Sequence, residues 1–593
     1  MNTNTPNTET QQKPVFTQKK YFNKNFNKNK HKNPNNGPAT KNTPKVKITF
    51  LGGIGEIGKN LTVFETEQTA IVLDCGMAFP DNELPGVEVI VPDISYLLSR
   101  KDKIKAFIIT HAHEDHIGAL PHTLGDIKAP IYASKFSLGM IDNKMREYPK
   151  IKYKAVEVKP RSILKIDDFT LEFIHTNHSI IGALAVAIKT PAGTIFHTGD
   201  FKIDEAPVDG KTIDKKRIAE IGARGVQLLM CDTTNATSKG HSLSETNVGK
   251  VLEEEVFQKY AENRLIISTF ASNVHRMQQI LTLAEKYGRK IAFTGRSMIN
   301  VSEVANRLGE LKLNKENIIT IDALKKYADK EVLILSTGSQ GEPLSALTRM
   351  ANDNFAKFKL TTNDVVVFSS SPIPGNEKSI INVMNKLIKK GVEVVHDKLA
   401  PVHASGHACQ EELVEMFNLT KPKFIIPVHG EPVHLKECQK LAINHGYNAR
   451  QVPIVDLGYQ MELTPNSLKR VGLVKAGSRL VDGTAYGDLE SPVIRDRKQL
   501  ADDGFLIAVI NISTKTSKLV NDPLIITRGF LYGNEMDKVI TTIKTNLLVF
   551  IKSYDFKASD TNTIKNDMRK FLSNIIHRKT KRKPIVLCTT IFS

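Results

Sequence analysis

Six residues, His111-Ala112-His113-Glu114-Asp115-His116, stand directly behind the apolar run Ala106–Thr110 and ahead of the helix-like stretch Gly118–Leu124. Four candidate ligands so close together at the end of a strand constrain the fold more than any other feature of the chain. In an extended segment alternate side chains point the same way, so His111 and His113 address one cation. Asp115 and His116, a turn further on, address another. Imidazole and carboxylate without thiolate suit zinc or manganese. The alternative that needs no ion is a surface histidine cluster.

Two ions need more donors than one loop supplies. His178 follows the strand-like run Phe169–Thr176, Asp200 closes His197-Thr198-Gly199-Asp200, and His429 follows Phe424–Val428. Each stands at a strand end beside a small residue, where a side chain projects from a sheet edge into a shared site.

The 593 residues predict two to four domains. No apolar stretch approaches the roughly 18 residues of a membrane span, and the first thirty residues carry no apolar leader core. Five scattered cysteines without a CxxC pair argue against a disulfide framework or a thiolate zinc site, and a cytoplasmic location is expected. The formal charge of +19 favours a polyanionic partner.

Residues 1–45 hold nine Lys, one Glu and eleven Asn, which reads as a disordered basic arm. From Val46 short strand-like runs predict an α/β domain. Gly53-Ile54-Gly55-Glu56-Ile57-Gly58 matches GxGxxG, but Leu61–Thr66 behind it reads as a strand, whereas a dinucleotide fingerprint must open a helix. After Asp232 helices and strands alternate, the texture of a doubly wound parallel sheet. A small αβ segment follows residue 490 and ends in the basic run His577–Lys583, read equally as an RNA-contacting stripe or a solvated face. No fixed-period repeat is present.

HxHxDH, a following His, the HTGD aspartate and a late PxHG histidine together resemble the metallo-β-lactamase superfamily. The intervening segment carries Cys231-Asp232, Ser272-Asn273-Val274-His275-Arg276, Ser336–Pro343, Ser369–Gly375 and His403-Ala404-Ser405-Gly406-His407. These are similar to the β-CASP nucleases, and closely to the bacterial ribonuclease J family. The resemblance spans everything except the arm.

It implies a metallo-β-lactamase αββα sandwich (46–246 and 409–487), an inserted doubly wound β-CASP domain (247–408) and a C-terminal αβ domain (488–593). It further implies that His111, His113 and His178 hold one Zn²⁺ or Mn²⁺, that Asp115, His116 and His429 hold a second, and that Asp200 bridges them. Asp74 would orient ligands, Asp232 would be the proton donor and His407 the acceptor. Ser272, Asn273, Val274, His403, Ala404, Ser405, Gly406 and His407 would contact substrate. Asp482, with the backbone at Pro85 and Val87, would hold an additional Ca²⁺. One departure stands out: Ile180-Ile181-Gly182-Ala183 replaces the Pro-Asp-Ser usual in the family, which changes the loop but removes no ligand.

The activity so implied is 5′→3′ exonucleolytic and endonucleolytic RNA cleavage, favouring 5′-monophosphorylated single strands, in mRNA decay and rRNA processing. A homodimer or homotetramer and contact with an RNA helicase or the ribosome are also implied. Serine, glycine and backbone amides at parallel strand ends make phosphate pockets on their own account, although ordinary tight turns use the same residues. A DNA repair nuclease would use the same site. A β-lactamase would not need this charge or a second large domain. A silent RNA-binding scaffold would lack ligands or the Asp232 and His407 pair, and all are present.

Overall fold

The computed structural model describes residues 43–593 except 81–83, 374, 484, 488–490, 517, 532, 534 and 557–559. The expected basic arm lies almost wholly outside the described residues.

Two mixed sheets carry the metal-ligand motifs. The first has eight strands, in the order Leu468–Leu473, Tyr459–Leu463, Val46–Gly52, Leu61–Glu65, Ala70–Leu73, Ile104–Ile108, Ile131–Ala133 and Ala155–Glu157. The second has six: Phe424–Val428, Val226–Asp232, Gly193–His197, Leu184–Thr190, Phe169–His175 and Ile163–Ile166. Ile48, Phe50, Phe64, Ile71 and Ile108 of the first pack on Phe173, Val186, Ile195, Leu228 and Met230 of the second. Their outer faces are covered by helices, through Leu97, Leu120 and Phe136 on one side and Ile218, Leu413 and Phe417 on the other. Both faces of the inner strands are therefore apolar, and Val226–Asp232 is buried at every position. This is the αββα sandwich.

A third, parallel sheet runs in the order Ile318–Ile319, Lys290–Thr294, Val332–Ser336, Arg264–Ser268, Asp364–Phe368 and Glu393–His396, with helices on both faces. It is the doubly wound sheet that the alternating texture predicts. One of its faces shares a continuous core with the first sheet, where Gly139 lies so close to Leu308 that a Cβ would sit 2.7 Å from Cδ1. The C-terminal sheet, Leu524–Arg528, Phe505–Ile512 and Ile585–Phe592, packs one face on the helices Glu535–Ser553 and Thr561–Thr580. The glycine-rich loop 53–58 leads into the strand Leu61–Glu65, as a non-nucleotide reading requires.

Leu229 is fully buried between the second sheet and its helices. Leu229→Ala is expected to destabilise the protein by about 2–5 kcal/mol, seen as a lower urea midpoint by far-UV circular dichroism. An unchanged midpoint would contradict this packing.

Candidate metal centre

Every expected ligand sits at or just beyond the carboxyl end of a strand, and both sheets present those ends to one pocket. Asp74 follows Ala70–Leu73, His111 follows Ile104–Ile108, His178 follows Phe169–His175, Asp200 follows Gly193–His197, and His429 follows Phe424–Val428. Two of these turns are strained: Asp74 (φ +58°) and His429 (φ +52°) are non-glycine residues in the left-handed region. Gly199 (φ +58°) precedes Asp200, and a Cβ there would come within 2.7 Å of the Leu184 carbonyl oxygen.

The expected ligands form two groups that share Asp200, and Asp232 and His407 make a third close set with Asp200 and His429. In the first, His113 Nδ1 lies 3.1 Å from His111 Nε2 and 3.0 Å from His178 Nε2. Asp200 Oδ2 lies 3.6 Å from His111 Nε2 and 3.8 Å from His178 Nε2. In the second, His116 Nε2 is 3.2 Å from Asp200 Oδ2 and 3.6 Å from Asp115 Oδ2. His429 Nδ1 is 2.9 Å from Asp200 Oδ1, while its Nε2 lies 3.2 Å from Asp115 Oδ2. That Nε2 is buried without a well-formed hydrogen bond.

Burial pushes the imidazoles of His111 and His178 well down and that of His113 down to about 4, so these three are neutral lone-pair donors. Burial acts the same way on His116 and His429, but neighbouring carboxylates, Asp200 foremost, outweigh it and raise both. Burial would raise Asp200, yet His429, His116 and His111 hold it well below the usual carboxylate range. Three neutral imidazoles, two more imidazoles set against carboxylates, and those carboxylates themselves are a donor set that fits divalent cations.

Asp74 meets the His116 ring nitrogen that faces away from Asp200. Its Oδ2 is 2.8 Å from His116 Nδ1, and it accepts hydrogen bonds from the Thr110 amide (2.8 Å) and hydroxyl (2.9 Å). Asp232 and His407 meet directly, with His407 Nδ1 2.7 Å from Asp232 Oδ2. Thr234 donates to Asp232 Oδ1 from its amide (3.0 Å) and its hydroxyl (2.9 Å). Burial works against the charge on both members, but each holds the other in its charged form: His407 is raised and Asp232 lowered. The two residues expected as separate donor and acceptor are thus one hydrogen-bonded pair.

The expected substrate contacts divide. Ser272 Oγ is 3.0 Å from His113 Nε2, and the Gly406 carbonyl accepts from His178 Nδ1 at 2.7 Å. The Ser405 hydroxyl accepts from the His407 amide at 3.1 Å, and His403 Nδ1 is buried without a hydrogen-bond partner. Asn273 caps the helix Val274–Lys286 by accepting from the Arg276 amide at 3.0 Å. Val274 and Ala404 are buried, and the Val274 side chain belongs to the core between the first and third sheets, so it offers substrate no side-chain surface. Beside His178 a cavity of about 810 Å³ opens, lined by Asn177, Lys211, Lys215 and His275.

At the expected calcium site a guanidinium meets two of the named groups. Arg497 Nη2 lies 2.5 Å from Asp482 Oδ2, and Arg497 Nη1 donates to the Pro85 carbonyl at 3.3 Å. The Val87 amide donates to the Leu84 carbonyl at 3.2 Å. The guanidinium thus sits on the Asp482 carboxylate and the Pro85 carbonyl, two of the three expected groups.

Several contributors carry no motif signal. The Asn60 side-chain amide lies 3.2 Å from the Asp115 carbonyl and 3.1 Å from His116 Nε2. The Thr198 hydroxyl accepts from the Asp232 amide at 3.0 Å. Buried Arg276 pairs with Glu245 through two nitrogens and donates to the Ser369 hydroxyl (2.6 Å) and the Val402 carbonyl (2.9 Å). Gly76, two residues past Asp74, has no room for a Cβ, which would overlap the Asp115 carbonyl.

Fold and site together define a metallo-β-lactamase-type hydrolase with an inserted domain. Residues 54–221 match the metallo-beta-lactamase superfamily, 262–387 the ribonuclease J beta-CASP domain, 391–452 the Zn-dependent metallo-hydrolase RNA specificity domain, and 492–592 the ribonuclease J C-terminal domain. Ribonuclease J of Helicobacter pylori is 40% identical over 92% of this chain and 79% of its own length. Ribonuclease J2 of Bacillus subtilis is 38% identical over 92% of this chain and 98% of its own. Ribonuclease J of Thermus thermophilus is also 38% identical, over 92% and 95%. The crystal structure of a protein of unknown function from Enterococcus faecalis V583 shares the fold, with a TM-score of 0.51 and 17% identity over 71% of this chain and all of that one. The chain belongs to the ribonuclease J family.

Gly76→Ala is expected to displace the Asp115–His116 backbone and cut metal content measured by plasma mass spectrometry, while far-UV circular dichroism stays native. Full metal retention would contradict the close packing of these two turns.

Proposed function

We propose that this protein hydrolyses RNA phosphodiester bonds at a two-metal centre, by 5′→3′ exonucleolytic and endonucleolytic cleavage, with 5′-monophosphorylated single strands preferred. The observation that carries the reading is the pair of donor groups sharing Asp200, with the Asp232 and His407 pair set against them.

In this reading His111, His113, His178 and Asp200 hold one zinc or manganese ion, and Asp115, His116, His429 and Asp200 hold the other. Two such ions supply an activated water and neutralise charge on the phosphoryl oxygens. The chain's own work is then positional and protonic. Asp74 fixes the His116 ring, keeping Nε2 aimed inward. Asp232 and His407, hydrogen-bonded to one another, form the proton-carrying pair, Asp232 as donor and His407 as acceptor, that delivers a proton to the departing 3′ oxygen, so the products carry a 5′ phosphate and a 3′ hydroxyl. Such acid catalysis is worth on the order of 10²–10⁴ in rate.

The carboxyl ends of the parallel strands in the inserted domain gather Ser336, Ser369, Ser370 and the 403–407 segment on the pocket side. Ser336 and Ser369 are fully buried, and the Ser369 hydroxyl is taken by Arg276 and the Val402 carbonyl, so the partly exposed Ser371, His403 and Ser405 are the polar groups offered to a terminal phosphate. The reading extends to a role in mRNA decay and rRNA processing in the cytoplasm, and to contacts of the basic arm with a helicase or the ribosome.

Self-association through the C-terminal sheet belongs to the same proposal. One face of that sheet exposes Leu524 and Ile526 on one edge strand and Leu587 and Ile591 on the other, with Ile526 and Leu587 both in register with Ile507 between them. A two-fold axis brings such a face against its own copy, in a homodimer or as the repeating contact of a homotetramer. Ile526→Lys with Leu587→Lys is expected to lower the mass seen by light scattering to that of the monomer. An unchanged mass places the contact elsewhere.

RNA labelled at its 3′ end and bearing a 5′ monophosphate, triphosphate or hydroxyl tests the activity. Mononucleotide release from the monophosphorylated substrate, abolished by chelator and by Asp115→Ala, is the expected result. His407→Ala is expected to slow release by about 10²–10⁴-fold with metal content retained. RNA bound but left intact under every metal condition would favour a scaffold, and equal cleavage of matched DNA would favour a DNA repair nuclease.

A further inference from the structure

A histidine that binds a metal through one ring nitrogen is aimed by whatever holds the other, and loss of that partner typically weakens metal affinity 10–100-fold. The two donor groups differ in where those partners come from. In the Asp115, His116 and His429 group the partners belong to the hydrolase sheets. His116 Nδ1 faces Asp74, Asn60 reaches the Asp115 carbonyl, and His429 lies among Asp200, Asp115 and the Thr234 hydroxyl. None lies in the inserted segment.

In the other group, only His111 is held from its own domain, with Nδ1 3.0 Å from Thr110 Oγ1. His113 Nε2 meets Ser272 Oγ, at the start of an inserted helix, and His178 Nδ1 meets the Gly406 carbonyl, on the segment returning from the inserted sheet. Both partners are rigidly placed. Ser272 precedes the Asn273 cap, and the buried Arg276 guanidinium ties that helix to Glu245, Ser369 and the Val402 carbonyl just ahead of 403–407. Gly406 is packed so tightly that a Cβ would stand 2.8 Å from both Cε1 and Nδ1 of His178.

We propose that Ser272 and Gly406 are positioning residues for the metal held by His111, His113 and His178, so that this position reaches full affinity only with the inserted domain seated, while the other is complete without it. Ser272, expected from motif resemblance to touch substrate, acts instead through His113. The inference rests on the two-metal reading above.

The test is titration of the full-length, metal-free protein with Zn²⁺ and with Mn²⁺ against a chromophoric chelator, with circular dichroism confirming the fold. Wild type is expected to bind two ions. Ser272→Ala is expected to bind one as wild type does and the other about 10–100-fold more weakly, Ser272→Thr to recover most of the loss, and Gly406→Ala to reproduce it. Double variants locate the effect. Added to His116→Ala, Ser272→Ala should weaken the remaining ion, and added to His111→Ala it should change nothing further. Two ions bound with wild-type affinity by Ser272→Ala, with RNA turnover alone reduced, would overturn the proposal and return Ser272 to substrate contact. Equal weakening of both ions would also overturn it. Fewer than two ions in the wild type would instead refute the two-metal reading itself, and this inference with it.

Discussion

Three buried carboxylates, Asp74, Asp200 and Asp232, and the partly buried Asp115 converge on one pocket, and like charges this close are sustained only against compensating positive charge. Asp200 is the focus. Its two oxygens lie within 3.8 Å of His111, His116, His178 and His429, which come from three different loops. Removing any one strand end would leave a buried charge without its partner. The strain at Asp74 and His429 and the missing Cβ atoms at Gly76 and Gly199 follow from that requirement, because the chain must turn sharply to bring each donor in.

Packing makes the convergence possible. Because the two sheets are joined through an apolar interior and covered outside by helices, their strands are fixed in register before a single ligand is considered. The inserted sheet then shares a core with the first, which brings Ser272 to His113 and His407 to Asp232. The inserted domain therefore does more than cover the pocket: it supplies groups that hold histidines of the hydrolase domain in place.

Much of this was legible in the sequence, for a physical reason. Metal donors at strand ends combine an unusual residue type with a local pattern, so His111 through His116, His178, Asp200 and His429 all stood out before their geometry was known. The alternation of helix and strand after Asp232 announced a parallel sheet in the same way. What stayed hidden were pairings between side chains far apart in the chain. Asn60 on Asp115, Thr198 on the Asp232 amide, and Ser272 on His113 leave no periodicity and involve ordinary polar residues. Arg497 is the clearest case: the family resemblance implies a calcium ion at Asp482, Pro85 and Val87, and only three-dimensional proximity reveals a guanidinium from a later helix on Asp482 and Pro85. The linkage of Asp232 and His407 was likewise invisible, because each was read as an independent proton carrier.

The central claim is that two cations lie on either side of Asp200. Anomalous diffraction at the manganese edge, from crystals of the full chain grown with Mn²⁺, tests it most directly. The account predicts two peaks, one bounded by His111, His113 and His178 and the other by Asp115, His116 and His429, with Asp200 reaching both. A single peak, or one among Asp232, His407 and His429, where a third set of donors also lies close together, would contradict it.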